Sequence, residues 1–200
     1  MMLTLFASKG SVSVASAIML EETETEYKLE VLDFSQADQT KKSYLNINPK
    51  GRVPALKTPH GLLTETGAIL EYIAPDFIPQ AAYSAARVRE IIHYLASTMH
   101  VNHAHKMRGA RWADDPVAVE NMAIKVPETM AKSCAYLEEI ISEPYIFGSK
   151  ITIADAHLFT IAQWLKGDEV EIKNYPQLAR FEREFATRPS VASVRARGLL

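Results

Sequence analysis

The sequence predicts an α+β chain of two domains, an N-terminal domain of order βαβ–α–ββα and a C-terminal domain of helices alone. Three observations predict it. Short apolar runs of strand length fall in the first third, at Leu3 to Ala7, Tyr27 to Phe34, Val53 to Thr58 and Leu62 to Thr64. Pro75 and Pro79 then bracket Asp76-Phe77-Ile78, a stretch through which no helix can run. Beyond it, every apolar pattern has helical spacing. The boundaries read as 1–76 for the first domain, 77–83 for the linker and 84–200 for the helical domain.

In order, Leu3 to Ala7 is a buried strand, and Val12 to Glu22 carries Val14, Ala17, Ile18 and Leu20 near helical spacing behind a run of serines. Tyr27 to Phe34 is a second strand, and strand–helix–strand within about 35 residues is the length of a parallel crossover unit. Lys42 to Asn48 is polar and partly helical. Val53 to Thr58, the turn Pro59-His60-Gly61 and Leu62 to Thr64 form a hairpin, which makes the sheet mixed. Gly67 to Ile73 places Ala68, Ile69, Tyr72 and Ile73 on one helical face. After the linker, Ser84 to Met107, Pro116 to Ser142, Thr152 to Leu165 and Tyr175 to Thr187 read as helices. Thr152-Ile153-Ala154-Asp155 has the spacing of a capping box, in which hydroxyl and carboxylate each satisfy an amide at a helix start.

Composition narrows the function classes. The 200 residues are 48% hydrophobic and 23% charged, ordinary for a soluble globular protein. A formal charge of −2 gives no reason to expect nucleic acid or an anionic membrane as partner. Cys134 is the only cysteine, so no intramolecular disulfide can form. Met1 to Ala7 is interrupted at once by Lys9 and Gly10 and is too short for a signal core. No run approaches the ~20 apolar residues of a membrane span. The expected setting is cytoplasmic.

Four segments occur in one order. They are Ser8-Lys9-Gly10-Ser11-Val12-Ser13 entering the first helix, Asn48-Pro49-Lys50-Gly51-Arg52-Val53-Pro54-Ala55-Leu56, Thr64-Glu65-Thr66-Gly67-Ala68-Ile69, and Ile153-Ala154-Asp155. Each alone is weak. In this order and spacing the chain resembles the cytosolic glutathione S-transferases over essentially its whole length, most nearly the bacterial members and somewhat like the beta class. The resemblance implies a thioredoxin-like first domain that binds glutathione. It also implies a cis bond before Pro54, glutathione as cosubstrate without a metal, and a homodimer.

The resemblance puts Arg52, Val53, Pro54, Glu65, Thr66 and His105 at glutathione. The backbone before Pro54 would pair with the cysteinyl part. Thr66, opening a helix where amides and dipole favour an anion, would take the γ-glutamyl carboxylate. Glu65 would stand near the ammonium. His105-Lys106 resembles a pair contributed by the helical domain of beta-class proteins, and Arg108, Arg111 and Trp112 follow as candidates for an electrophile pocket. The beta class has a tyrosine and a cysteine where this chain has Ala7 and Val12, so a mixed disulfide and tyrosine activation do not carry over. What remains to favour thiolate is a hydroxyl, Ser11 or Ser13, with Ser8 behind them.

His93, His100, His103 and His105 fall in one expected helix. At about 100° per residue they cannot all turn onto one ion, so no metal is expected. The function implied is transfer of glutathione to a small hydrophobic electrophile. A glutathione-dependent isomerase, dehalogenase or disulfide reductase would use the same apparatus, and a non-enzymatic glutathione- or partner-binding protein is the other class left open.

Overall fold

The computed structural model describes residues 2–200. The chain forms two compact units. One holds the residues up to Ala85 together with Ala186–Leu200, and the other is Ala86–Phe185.

In the first unit the order is β1 (Leu3–Ala7), α1 (Ser13–Glu22), β2 (Tyr27–Val31), α2 (Lys42–Leu45), β3 (Ala55–Thr58), β4 (Gly61–Thr64) and α3 (Thr66–Ile73). The sheet runs β2-β1-β3-β4. β1 and β2 are parallel from Leu3↔Tyr27 to Ala7↔Val31, the pairing that needs α1 as its crossover. β3 is antiparallel to β1, with Leu5 opposite Leu56, and to β4, with Ala55 opposite Thr64. The strand period of two separates the faces. Leu5 and Leu56 are fully buried, as are Ile18 and Leu20 of α1 and Ile69 and Leu70 of α3. Phe6 turns to the other face and packs with Tyr44 and Ala55. Burying each such large side chain contributes about 1.5–3 kcal/mol.

Two strands are shorter than the apolar runs suggest. β2 stops at Val31 because Asp33 accepts a bond from the Ser35 amide at 2.8 Å and starts a 3₁₀ turn, Phe34–Gln36. β3 starts at Ala55, since Pro54 has no N–H to give a ladder; the Val53–Pro54 bond is cis.

The sequence reading stops its helices at Thr187, yet α9 (Pro189–Ala196) follows and packs on α1. Pro189 occupies its first turn, where the missing N–H is harmless. Val191 and Val194 form its buried face. Its acceptors lie on α1: Glu22 takes a bidentate pair from Arg188, 2.6 and 2.7 Å, and Glu21 takes the Ser193 hydroxyl at 2.7 Å. By packing, then, the last fifteen residues join the first unit.

The second unit holds the rest of α4 (Ala82–Tyr94), a π-helical turn (Leu95–Met99), α5 (His100–Arg108), α6 (Pro116–Ile140), α7 (Ile153–Ala162) and α8 (Pro176–Phe185). The one helix expected over 84–107 is thus two, joined by the π turn. Among the described residues no strand follows Tyr83; Tyr145 and Gly148 only exchange bonds across a tight turn, at 3.1 and 3.4 Å. The capping box is formed. Asp155 Oδ2 accepts the Thr152 amide at 2.6 Å and hydroxyl at 2.8 Å, and Oδ1 accepts the Ile146 amide at 2.9 Å. Every residue of α7 is buried, which makes it the centre of this unit.

Candidate functional site

Strand register decides which residues meet. Phe6 of β1 pairs with Ala55 of β3, and Ala55 pairs with Thr64 of β4. The segment leaving β1 (from Ser8), the segment entering β3 (Arg52-Val53-Pro54) and the segment leaving β4 (Glu65-Thr66) therefore all emerge at one end of the sheet. Segments from three separate places in the sequence are gathered there by three short strands.

The first segment carries three serines. Ser13 is fully buried, and its Oγ accepts the Ser8 amide at 3.1 Å. Ser11 is half-buried; its hydroxyl lies 2.6 Å from Ser13 Oγ and 2.8 Å from the Ser8 carbonyl, and it accepts the Ser13 amide at 3.3 Å. Two hydroxyl protons thus face one internal carbonyl. Ser13 Oγ also lies 3.4 Å from that carbonyl, so Ser13 can take it over when Ser11 rotates outward. Ser8 is buried, contributing backbone groups. Gly10, at φ +65°, makes the turn, a conformation without penalty only for glycine. Its amide donates to the Leu199 carbonyl at 2.9 Å.

The second segment is held from behind. The Arg52 carbonyl accepts the Tyr44 hydroxyl at 2.7 Å and the Asn48 amide group at 2.8 Å. Asn48 is buried, and its side-chain oxygen also takes the Lys50 amide at 3.2 Å. These two side chains fix the backbone just before Val53, which lies beyond the last paired residue of β3. Burial and the loss of its solvent partners raise the Tyr44 phenol above its ordinary range, so it stays a donor at neutral pH. The Arg52 side chain is exposed. Sequence reasoning gave neither side chain a role: Tyr44 went unremarked, and Asn48 stood only as the first letter of the Asn48-to-Leu56 segment.

The third segment turns sharply. Glu65 has φ +70°, a strained conformation for a residue with a Cβ, of the kind that costs about 1–3 kcal/mol and collects at ligand clamps. Thr66 opens α3 and is buried. The Lys50 ammonium sits 2.6 Å from Glu65 Oε1 and 2.9 Å from the Thr64 hydroxyl. This end of the sheet therefore presents a backbone edge, a hydroxyl at a helix start, a carboxylate and an ammonium.

The remaining expected residues belong to the second unit. His105 lies in α5 with its ring edge-on to Trp112, centroids 4.8 Å apart. Lys106 donates to the Gly167 carbonyl at 2.6 Å and Glu169 at 2.7 Å. His103 pairs with buried Asp168 at 2.8 Å and stacks on Trp164. Cys134 is free and buried; burial first, then the charges of Asp168 and Glu138, push its thiol up to about 12, which makes it unreactive. Ala7 and Val12, where the beta class has tyrosine and cysteine, are buried.

Residues 1–75 match the family described as glutathione S-transferase, N-terminal domain, and residues 103–197 its C-terminal domain. The chain is 32% identical over 196 residues to glutathione S-transferase GstA of Escherichia coli O157:H7, covering 94% of each. A crystal structure of a glutathione transferase homologue from Sulfitobacter with bound glutathione superposes with TM-score 0.97 at 46% identity, over 100% of this chain and 99% of that one. The beta-class glutathione S-transferase of Sphingomonas chungbukensis superposes with TM-score 0.84 at 28% identity, over 98% and 100%. At 25% identity, over 92% of this chain and 82% of the relative, similarity reaches a Drosophila melanogaster protein described as a probable maleylacetoacetate isomerase 2.

Proposed function

The chain belongs to the glutathione S-transferase family, and from that premise we propose that it conjugates the thiolate of glutathione to small hydrophobic electrophiles. The observation that carries this reading is the gathering of Ser11, Val53 and Glu65-Thr66 at one end of the sheet by the β1–β3–β4 register. In it, the Val53 backbone pairs with the cysteinyl part, Thr66 receives the γ-glutamyl carboxylate and Glu65 the ammonium.

Ser11 activates the sulfur. It is the more exposed of the two candidate hydroxyls, and Ser13 can replace it on the Ser8 carbonyl. A charge-assisted hydrogen bond contributes about 1.5–3 kcal/mol. At ~1.4 kcal/mol per unit this lowers a thiol near ~8.5 by about one to two units, into the neutral range. The thiol proton leaves to water. Sulfur then forms its bond to the electrophilic carbon, and either a leaving group departs with its electron pair or the new carbanion takes a proton from solvent. Proximity supplies most of the remaining rate. The active form is proposed as a cytoplasmic homodimer.

The test is retention on immobilised glutathione together with turnover on a broad electrophile panel. Both are expected. Retention without turnover replaces the reading with a glutathione-binding protein, and loss of both replaces it with a partner-binding module. Similarity to the Drosophila isomerase favours a second reading, glutathione-dependent isomerisation, and a cis-enone added to the panel distinguishes it.

A further inference from the structure

Asp168, in the turn after α7, is fully buried, and both of its carboxylate oxygens face one ring nitrogen, Nδ1 of His103 in α5, at 2.9 and 2.8 Å. The turn is fixed from two sides. The Asp168 amide donates to the Trp164 and Leu165 carbonyls at 3.0 and 3.1 Å, and the Lys106 ammonium donates to the Gly167 carbonyl at 2.6 Å. The His103 ring is stacked on Trp164, with centroids 4.3 Å apart and planes 23° apart, which holds it in line with the carboxylate. The glutathione reading uses none of these groups.

A carboxylate only accepts, so in the neutral ring the proton lies on Nδ1 and the free lone pair on Nε2. Nε2 has no hydrogen-bond partner among the described residues, and the His103 side chain is 25% exposed. His157 is the contrast: both of its nitrogens are unpaired and closed off from solvent. A carboxylate on one imidazole nitrogen makes the other a stronger electron-pair donor. It also stabilises the positive ring that forms when that nitrogen takes a new bond.

We propose that His103 is a nucleophilic site for acyl groups, with Asp168 as its positioning residue, and that its substrates are activated esters with an aryl leaving group. The Nε2 lone pair forms a bond to the acyl carbon, the ester C–O bond breaks, and the phenolate departs with its electron pair. The Nδ1 proton stays on the ring, whose positive charge Asp168 offsets. Water then attacks the acyl carbon, its proton passes to solvent, and the C–N electron pair returns to Nε2. The half-buried Trp164 gives the aryl group an apolar surface beside the ring. No step uses glutathione, so this activity stands apart from conjugation.

Two measurements on glutathione-free protein test it. Site-resolved mass spectrometry after brief treatment with diethyl pyrocarbonate compares His103 with His60 and His93, both exposed. His103 is expected to be acylated roughly ten-fold faster, although it is less exposed than either. Hydrolysis of p-nitrophenyl acetate is expected to fall to background in His103→Gln. Asp168→Asn should slow both hydrolysis and His103 labelling by roughly ten-fold and leave His93 labelling unchanged; the loss is below the ~10²-fold of a closed site because the ring is partly solvated. A pair that only braces the turn gives His103 no such preference. Labelling of His103 no faster than of His60 and His93, equal hydrolysis by wild type and His103→Gln, or wild-type labelling of His103 in folded Asp168→Asn overturns the proposal. The first two readouts decide it even where Asp168→Asn fails to fold.

Discussion

The Gly10 amide donates to the Leu199 carbonyl across 2.9 Å, tying the turn that leads into α1 to the residue just past α9. Leu199 is fully buried, and Gly198, at φ +77°, turns the chain so that the carbonyl points that way. A segment almost two hundred residues downstream thus sets the position of the loop that carries Ser11. Leu199→Ala is expected to reduce stability by about 2–3 kcal/mol, the low end for a fully buried leucine because the site lies at the edge of a unit and can relax. With the anchor loosened, the thiol of bound glutathione should titrate at higher pH than in wild type. Urea unfolding reads the first effect, ultraviolet titration of the thiolate the second.

The other end of α1 is held by Glu22. Burial alone would raise its carboxyl; the bonds from Arg188 and Ser190, with the Arg188 charge, outweigh that and hold it below the usual carboxylate range. A folded pKa below the unfolded ~4.3 means stability present above pH ~4.3 and lost as pH falls through the folded value. Arg188→Met should lower the unfolding free energy at pH 7 by about 1.5–3 kcal/mol, the range for hydrogen bonds to a charged group. It should also flatten the loss between pH 5 and 3, since the remaining burial no longer favours the carboxylate. Denaturation curves of both proteins across that range are the check.

Ser11 and Ser13 should separate by readout. Ser11→Ala is expected to leave glutathione affinity nearly intact and to raise the pKa of the bound thiol by about one to two units, the equivalent of one charge-assisted bond. Ser13→Ala removes the buried acceptor of the Ser8 amide. It should reduce stability by about 1–3 kcal/mol, with a smaller change in the titration. A shift confined to Ser13→Ala would transfer the activating role to that residue.

Much of this was legible in the sequence, and the gaps have physical causes. The four strands announced themselves as apolar runs and the capping box as Thr152 and Asp155 at fixed spacing. Ser8 to Ser13, Asn48 to Leu56 and Thr64 to Ile69 marked all three segments at the end of the sheet. α9 was not seen: its apolar face is short, Val191 and Val194, and Arg188, Ser190, Ser193 and Arg197 around it are polar. They are polar because Glu21 and Glu22 of α1 face them. Ser11 and Ser13 differ in burial, which two serines in one short segment do not reveal in sequence, and the proposal of Ser11 draws on that difference. Lys50 was only a letter in a motif until the β3–β4 hairpin brought Glu65 back beside it.

His157 offers the sharpest pH signature. It sits in the middle of α7, fully buried, and neither ring nitrogen finds a hydrogen-bond partner among the described residues. Burial first, then the nearby His100, lowers its pKa to about 3, so the ring is neutral across the physiological range. In the unfolded chain it protonates near ~6.5. Below that pH the unfolded state binds a proton that the folded state refuses, so the stability associated with this residue is present above pH ~6.5 and is lost as pH falls toward 3. Replacing the ring by an apolar one of similar shape removes both the proton linkage and two unmade hydrogen bonds. His157→Phe is therefore expected to be neutral or stabilising by about 1 kcal/mol at pH 7.5, since deleting an unsatisfied polar group in place is tolerated. Its advantage over wild type should grow by ~1.4 kcal/mol for each pH unit below about 6. Urea midpoints at pH 7.5, 6.0 and 5.0 measure the difference directly. Parallel curves, with the same gap at all three, would mean that His157 takes up its proton as readily in the folded protein as in the unfolded chain.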